Sequence, residues 1–444
     1  MTLKEKLLNG ERLIGIWGVG YIGYSSMAHF ASKGVKCLGV DVAVEKVEQI
    51  NKGDLPIQNI EYWLGFDTKP LVKSGLMRAT TDWIELISKD IPVHLICIPT
   101  EKDEVPYDSI LIEVMEKLTS FRQINLDFPP LVIIESTLTP NTTGKTIVPT
   151  FENKGMKVGK DILVGVAPRR DWFISPEKSL KTLPRVVGGT TPETTALMIE
   201  VLEIVCDTIL PAKDHRHVEL VKSIENAYRH VEITLANQLS LAYPDIDMRE
   251  VLELVGTKWN IGTYHPSFGT GGYCIPLASQ YVLSGTKSAD KLSILNSAIQ
   301  TDQNLPYMVA EVVVRKGAKK VGILGLAYKG DLKVHTLSPT LRIVSHLKRK
   351  GIEVKVHDPY YLPEEIEQIC GTETFRFPDD LGNFDTVLVV ADHRDYQAVP
   401  RGQILTNLKN CKLILDNVGI WGDFNFGEVG VEYHVAGTEH WLGE

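Results

Sequence analysis

Short apolar runs alternate with longer amphipathic stretches along most of this 444-residue chain. The first run, Arg12-Leu-Ile-Gly-Ile-Trp17, leads into Gly18-Val-Gly-Tyr-Ile-Gly23 and a segment over residues 25–33 with helical spacing. Val35-Lys-Cys-Leu-Gly-Val-Asp41 follows as a second run that closes on an acid. The pattern predicts strand, glycine turn, helix, strand. Val93-His-Leu-Ile-Cys-Ile-Pro-Thr100 and Pro130-Leu-Val-Ile-Ile-Glu-Ser-Thr137 read as buried strands, each ending in small polar residues. The runs over 161–171 and 184–189 read as two more, and residues 191–207 read as a helix.

The middle of the chain is different. From Leu220 to Asn237 apolar residues recur at helical spacing, so Lys222, Asn226 and His230 share one face at i, i+4 steps. A third helix is expected over 247–255. After a polar break at 285–290 and a helical stretch to residue 314, the first pattern restarts. Lys320-Val-Gly-Ile-Leu-Gly-Leu-Ala-Tyr-Lys329 precedes a helix from Pro339 and a strand closing on His357-Asp-Pro359, with further buried strands at 385–391 and 411–416. The expected fold class is α/β, two Rossmann-like doubly wound domains joined by a helical middle region. Expected boundaries are 1–200, 201–305 and 306–444, a division that suits a length beyond what one core usually fills.

Composition narrows the partners. The 43% hydrophobic and 23% charged residues are ordinary for a water-soluble globular protein. A net charge of −9 and a pI near 5.8 argue against nucleic acid or an anionic membrane, leaving room for a local basic pocket. The first residues lack an apolar signal segment and no apolar run reaches about 18 residues, so a cytoplasmic protein is expected. Six scattered cysteines without a C-x-x-C pair fit reduced thiols and predict neither disulfides nor a metal site.

Two constellations carry chemistry. Gly18, Gly20 and Gly23, with Tyr21 and Ile22 between them, give the tight turn and close approach that a pyrophosphate needs at a helix N-terminus. Asp41 then suits a ribose diol, and an acid there favours NAD over NADP. Thr100, Glu135 and Thr137, at strand C-terminal ends, fall where a doubly wound sheet meets its cofactor or substrate, although a helix cap is an equally ordinary use for each. The second constellation is Gly269-Thr-Gly-Gly-Tyr-Cys-Ile-Pro276, which sets Cys274 behind a turn built from Gly269, Gly271 and Gly272. A lone cytosolic cysteine is more often a small buried hydrophobe. Beside the Lys222 and Asn226 stripe, it reads as a nucleophile with an oxyanion clamp. Arg169 and Arg170 suit a phosphate or carboxylate on the substrate, surface placement being the commoner use of such a pair.

Taken in order, these motifs resemble the nucleotide-sugar 6-dehydrogenases, the family that includes UDP-glucose and UDP-N-acetylmannosamine dehydrogenases. The resemblance runs from about Leu13 to Gly419. It implies oxidation of a nucleotide-sugar primary alcohol by two NAD+, with a thiohemiacetal and then a thioester on Cys274. It further implies a homodimer built on the middle helices and a place in polysaccharide biosynthesis. By the same resemblance Thr137 contacts water or substrate, while Phe268, the glycine loop and Lys329 hold the nucleotide portion. Three positions depart from the family pattern: its glutamate is Arg169 here, its aspartate four residues after the cysteine is Ala278, and its arginine after Lys329 is Thr336. An arginine cannot accept the proton of a hydrolytic water. An enzyme that stops at the aldehyde, one that takes an acidic substrate, and a non-catalytic NAD or nucleotide-sugar binding module therefore stay open beside the 6-dehydrogenase reading.

Overall fold

The computed structural model describes residues 1–443 apart from 58–59, 89, 104, 124–128 and 172–176. Two compact units emerge, the first comprising Met1–Ile224 with Ser284–Lys287 and the second Glu225–Leu283 with Ser288–Glu444. The division falls inside one helix, His215–Ala242. The expected helical middle region is thereby shared between the two units.

The first unit is a sheet in the order β10-β9-β8-β7-β4-β1-β2-β3. Its strands are β1 (Ile14–Trp17), β2 (Cys37–Val40), β3 (Met77–Thr80), β4 (Val93–Ile96), β7 (Leu131–Ile134), β8 (Leu163–Val166), β9 (Arg185–Gly189) and β10 (Ile209–Pro211). A small antiparallel hairpin, β5 (Glu101–Lys102) with β6 (Val105–Pro106), sits between β4 and β7 in the chain. All pairings in the large sheet are parallel except β8 with β9. Every residue of β1, β2, β4 and β7 is buried, which is why these strands read as unbroken apolar runs. Successive side chains serve opposite faces: Ile14 and Ile16 join one core cluster, Trp17 the other.

His94 shows how a polar residue is tolerated in such a strand. The Trp17 indole N–H donates to its Nδ1 at 3.1 Å, which leaves Nε2–H to donate to the Ile91 carbonyl at 2.9 Å. Burial lowers its pKa to about 3, so the ring stays neutral in the fold.

The second unit has a five-stranded parallel sheet, β12-β11-β13-β14-β15, formed by β11 (Lys320–Leu324), β12 (Glu353–His357), β13 (Thr386–Val389), β14 (Leu413–Asp416) and β15 (Glu432–Val435). Its helices include Met248–Gly256, Ile275–Ser284, Ser293–Arg315 and Pro339–Arg349. Asp247 caps the first of these by accepting from the backbone N–H of Arg249 and Glu250. Both expected sheets are present, and the expected strands at 93–100, 130–137, 385–391 and 411–416 fall on β4, β7, β13 and β14. β15 and β3 lacked a clear apolar run and were not expected: β15 is only half-buried, and β3 carries the exposed Arg78.

Candidate active site

The fingerprint helix is Tyr21–Ser32, so it starts inside the glycine motif, four residues earlier than the apolar spacing alone predicts. Gly18 has φ +85°, and a Cβ there would lie 2.6 Å from the Cys97 carbonyl oxygen; a Cβ at Gly23 would lie 1.8 Å from the Gly18 oxygen. Neither position can carry a side chain. Gly20 is the N-cap, makes no side-chain cap, and a Cβ on it would meet nothing within 4 Å. The helix start thus carries no side-chain cap and has room beside Gly20, which fits the close approach of a dinucleotide pyrophosphate. At the end of β2, Asp41 accepts from the backbone N–H of Val19 and of Ala43, both at 3.0 Å, with Lys46 Nζ 3.4 Å away. Asp41 Oδ1, with Ala43 N–H as its donor, keeps a further lone pair for a ribose hydroxyl. These residues fit NAD, and Gly18, Gly20, Tyr21, Ile22, Gly23 and Asp41 are brought together as expected from their spacing.

Thr100 and Thr137 also meet, the Thr100 hydroxyl donating to the Thr137 carbonyl at 2.6 Å. A cavity of about 280 Å³ opens there, with Thr100, Tyr107, Leu138, Thr139 and Lys145 in its wall. That is near the lower end of small-molecule sites, about 300 Å³.

Glu135, Arg169 and Arg170 have other places. Glu135 is buried, ion-paired with Arg185, and accepts from Ser26 at 2.5 Å and from the Cys97 thiol at 3.3 Å. Burial alone would raise its pKa; Arg185 and Arg169 outweigh that and hold it below the usual range. Arg169 is likewise buried. Its guanidinium grips Asp171 through two bonds at 2.7 and 2.5 Å and donates to Ser26 at 2.6 Å and Ser25 at 3.1 Å. Burial opposes ionisation of Asp171, yet Arg169 brings its pKa down to about 2. The Arg169 side chain, expected to meet an anionic substrate, thus spends its donors under the fingerprint helix. Arg170 donates to the Pro184 carbonyl at 2.7 Å, at the head of β9. Sequence reasoning missed this network because its partners, Asp171, Arg185 and the two serines, carry no motif of their own.

In the second unit, Cys274 is the residue whose carbonyl opens the helix Ile275–Ser284, accepting from Ala278 N at 3.2 Å. Its half-buried thiol belongs to the residue that opens this helix. The preceding turn is possible only with glycine: Gly269 has φ +121° and Gly272 has φ +82°. Side chains at Gly271 and Gly272 would collide with Tyr328, at 2.3 and 2.6 Å. Thr336, where the family has its arginine, contributes its carbonyl, which accepts from Gly272 N at 2.7 Å. Leu337 beside it adopts φ +54° and packs with Leu277 and Tyr281 of the cysteine helix. Exposed Lys329 follows Tyr328.

Phe268 departs from expectation. It is fully buried and stacks on Trp441 at 6.1 Å, so its ring belongs to the core and not to a substrate pocket. Lys222 and Asn226 occupy successive turns of His215–Ala242, both largely buried, on the shared face that the spacing predicted.

A dinucleotide cradle on a mostly parallel sheet and a second Rossmann-like sheet fit an NAD-dependent enzyme. Comparison with known proteins makes this specific. Residues 12–206 match the NAD binding domain of the UDP-glucose/GDP-mannose dehydrogenase family, residues 216–304 its central domain, and residues 322–423 its UDP binding domain. The chain belongs to the UDP-glucose/GDP-mannose dehydrogenase family, and is an NAD-dependent oxidoreductase acting on a nucleotide sugar. It is 26% identical to the UDP-N-acetyl-D-mannosamine dehydrogenase of Methanococcus aeolicus, over 95% of each chain. The solved structure of the UDP-D-ManNAc dehydrogenase from Pyrococcus horikoshii matches with TM-score 0.82 and 26% identity, over 96% of this chain and 99% of that one. A UDP-glucose dehydrogenase structure from Pyrobaculum islandicum shares the fold, with TM-score 0.82 at 21% identity over 97% and 99%. Among the described residues no helix is long and apolar enough to cross a membrane.

Proposed function

We propose that this enzyme oxidises the C6 primary alcohol of a UDP-hexosamine of the UDP-N-acetylmannosamine type, passing through a covalent intermediate on Cys274. The single observation that carries the reading is Cys274 opening a helix directly after a glycine-only turn. Bound at Gly18, Gly20, Gly23 and Asp41, NAD+ supplies the hydride acceptor. Lys222 and Asn226 offer a cation and an amide donor to the sugar oxygen as it gains negative charge. The Cys274 thiolate adds to the aldehyde carbon to give a thiohemiacetal, whose oxidation leaves a thioester. Thr137 takes part as a water or substrate contact. The relatives named for UDP-N-acetyl-D-mannosamine support this choice of sugar.

Release of the acid is the slow step. The family's glutamate and aspartate are Arg169 and Ala278 here, and Arg169 is already committed to Asp171. A suitable UDP-sugar with NAD+ should therefore give a burst of NADH, slow steady turnover, and a mass adduct on Cys274. Cys274→Ala should abolish the adduct and leave slow aldehyde formation. Linear turnover to the acid with no adduct would defeat this reading.

The working form is a homodimer. In the second unit Tyr228, Leu235, Leu254 and Trp259 are exposed to 70, 53, 65 and 92%, apolar surface that a second copy would cover. Light scattering that reports a monomer at micromolar concentration would refute it.

A further inference from the structure

Three helices of the second unit bring together a buried polar group that the proposed chemistry does not use. Asp302, on Ser293–Arg315, accepts from the Thr270 backbone N–H at 2.7 Å and from the Thr270 hydroxyl at 2.6 Å. Its second oxygen lies 3.5 Å from His230 Nε2, and His230 Nδ1 is 2.9 Å from the Ser279 hydroxyl on the cysteine helix. The three side chains are 3, 1 and 0% exposed. Placing the ring proton on Nε2, toward the carboxylate, leaves Nδ1 to accept from Ser279. At 3.5 Å that N–H makes no proper hydrogen bond, so the ring is held firmly on one side only.

The residue types are those of a hydrolytic triad. A serine with no exposure cannot attack a substrate, so the group has another use. Its contacts fall on both sides of one residue: Thr270 stands four positions before Cys274 and Ser279 five after it. We propose that Asp302, His230 and Ser279 form a buried positioning relay for Cys274, fixing the glycine turn through Thr270 and the helix start through Ser279. Gly269, Gly271 and Gly272 give that turn no side chains of their own to hold it, so its geometry depends on such outside grips. Loss of a grip lets the turn and the helix that carry the thiol shift, and the thiol with them. The proposal rests on the reading of Cys274 as the nucleophile.

The test is alkylation of Cys274 by iodoacetamide in the full-length protein, followed by peptide mass, with NAD+ affinity and the thermal transition measured alongside. Asp302→Ala and Ser279→Ala should each slow alkylation about tenfold, as supporting groups of a reactive site commonly do, and leave NAD+ affinity within about twofold. Asp302→Asn keeps an acceptor for Thr270 N and should recover most of the rate. Asp302 holds Thr270 directly while Ser279 acts through His230, so the double variant should be slower than either single. Folded single variants with the native alkylation rate would overturn the proposal. If Asp302→Ala does not fold, Ser279→Ala alone decides. Full NADH formation by Cys274→Ser would instead remove the nucleophile, while the alkylation rates would still judge the positioning.

Discussion

The two Rossmann-like halves start alike and diverge where a ligand would sit. In each, the glycine after the first strand donates its N–H at 2.8 Å to the end of the second strand: Gly18 to Val40, Gly325 to His357. Both have positive φ, and in both a Cβ would strike, at 2.6 Å, the loop after the strand that flanks the first on its other side: Cys97 after β4, Ala391 after β13. In the first half, residues 18–20 alone separate strand from helix, and the helix N-terminus is left uncapped. In the second, residues 325–338 intervene, and the helix Pro339–Arg349 is capped by Ser338 with proline at its first position. The acids differ in the same sense. Asp41 stays part-exposed, whereas fully buried Asp358 accepts from the amides of Leu326, Ala327 and Tyr360 at 2.9 Å and from His393 Nε2 at 3.1 Å. An uncapped helix N-terminus and a part-exposed acid, not the βαβ pattern, separate the dinucleotide half from its structural twin.

The sharpest way to break this comparison is at the glycines. Gly23→Ala drives a methyl into the Gly18 carbonyl and should abolish measurable NAD+ binding by calorimetry. Gly20→Ala adds a methyl that meets nothing, at φ −71°, so the thermal transition should stay within about a degree while a bound pyrophosphate loses its close approach. A Gly23→Ala protein that still binds NAD+ tightly would remove the fingerprint from its role.

The acids give a smaller and reciprocal effect. Asp358→Ala strands three buried amides and should cost about 3 kcal/mol in the denaturant transition of the second unit, with NAD+ affinity untouched. Asp41→Ala should do the reverse: little change in stability, and a loss of about tenfold or more in preference for NAD+ over NADP+. Similar stability losses in the two variants would mean that Asp41, too, is a structural acid.

What the sequence made legible was local. Strand, glycine turn, helix and acid lie within residues 14–41, and one periodicity argument covers them. The cysteine turn was legible for the same reason. The fates of Arg169 and Phe268 were not, because each depends on a residue with no pattern: Asp171 and the paired serines for the arginine, Trp441 near the far end of the chain for the phenylalanine. Asp302 lies in an amphipathic helix as one acid among several polar residues. Only packing shows that it holds the backbone of Thr270. The second βαβ unit was legible as strands, while the capped helix and saturated Asp358 that deprive it of a dinucleotide site were set by contacts such as His393, thirty-five residues on.

A last effect is one that the two halves share. His29 and His94 in the first unit and His357 in the second are pushed down by burial to about 4, 3 and 4. An unfolded chain takes up these protons near pH 6.5, while the folded chain resists until pH 3 to 4. The stability they contribute is therefore complete above about pH 6.5 and is lost as pH falls toward those folded values, by about 1.4 kcal/mol per pH unit for each histidine once the unfolded state binds the extra proton. The thermal transition should accordingly drop between pH 7 and pH 4.5, well before Asp171, held near 2, begins to protonate. His94→Gln can keep an acceptor for Trp17 and a donor for Ile91 yet cannot titrate, so it should start lower at pH 7 and fall less steeply. An equally steep fall in that variant would transfer the acid sensitivity of the first unit from His94 to His29.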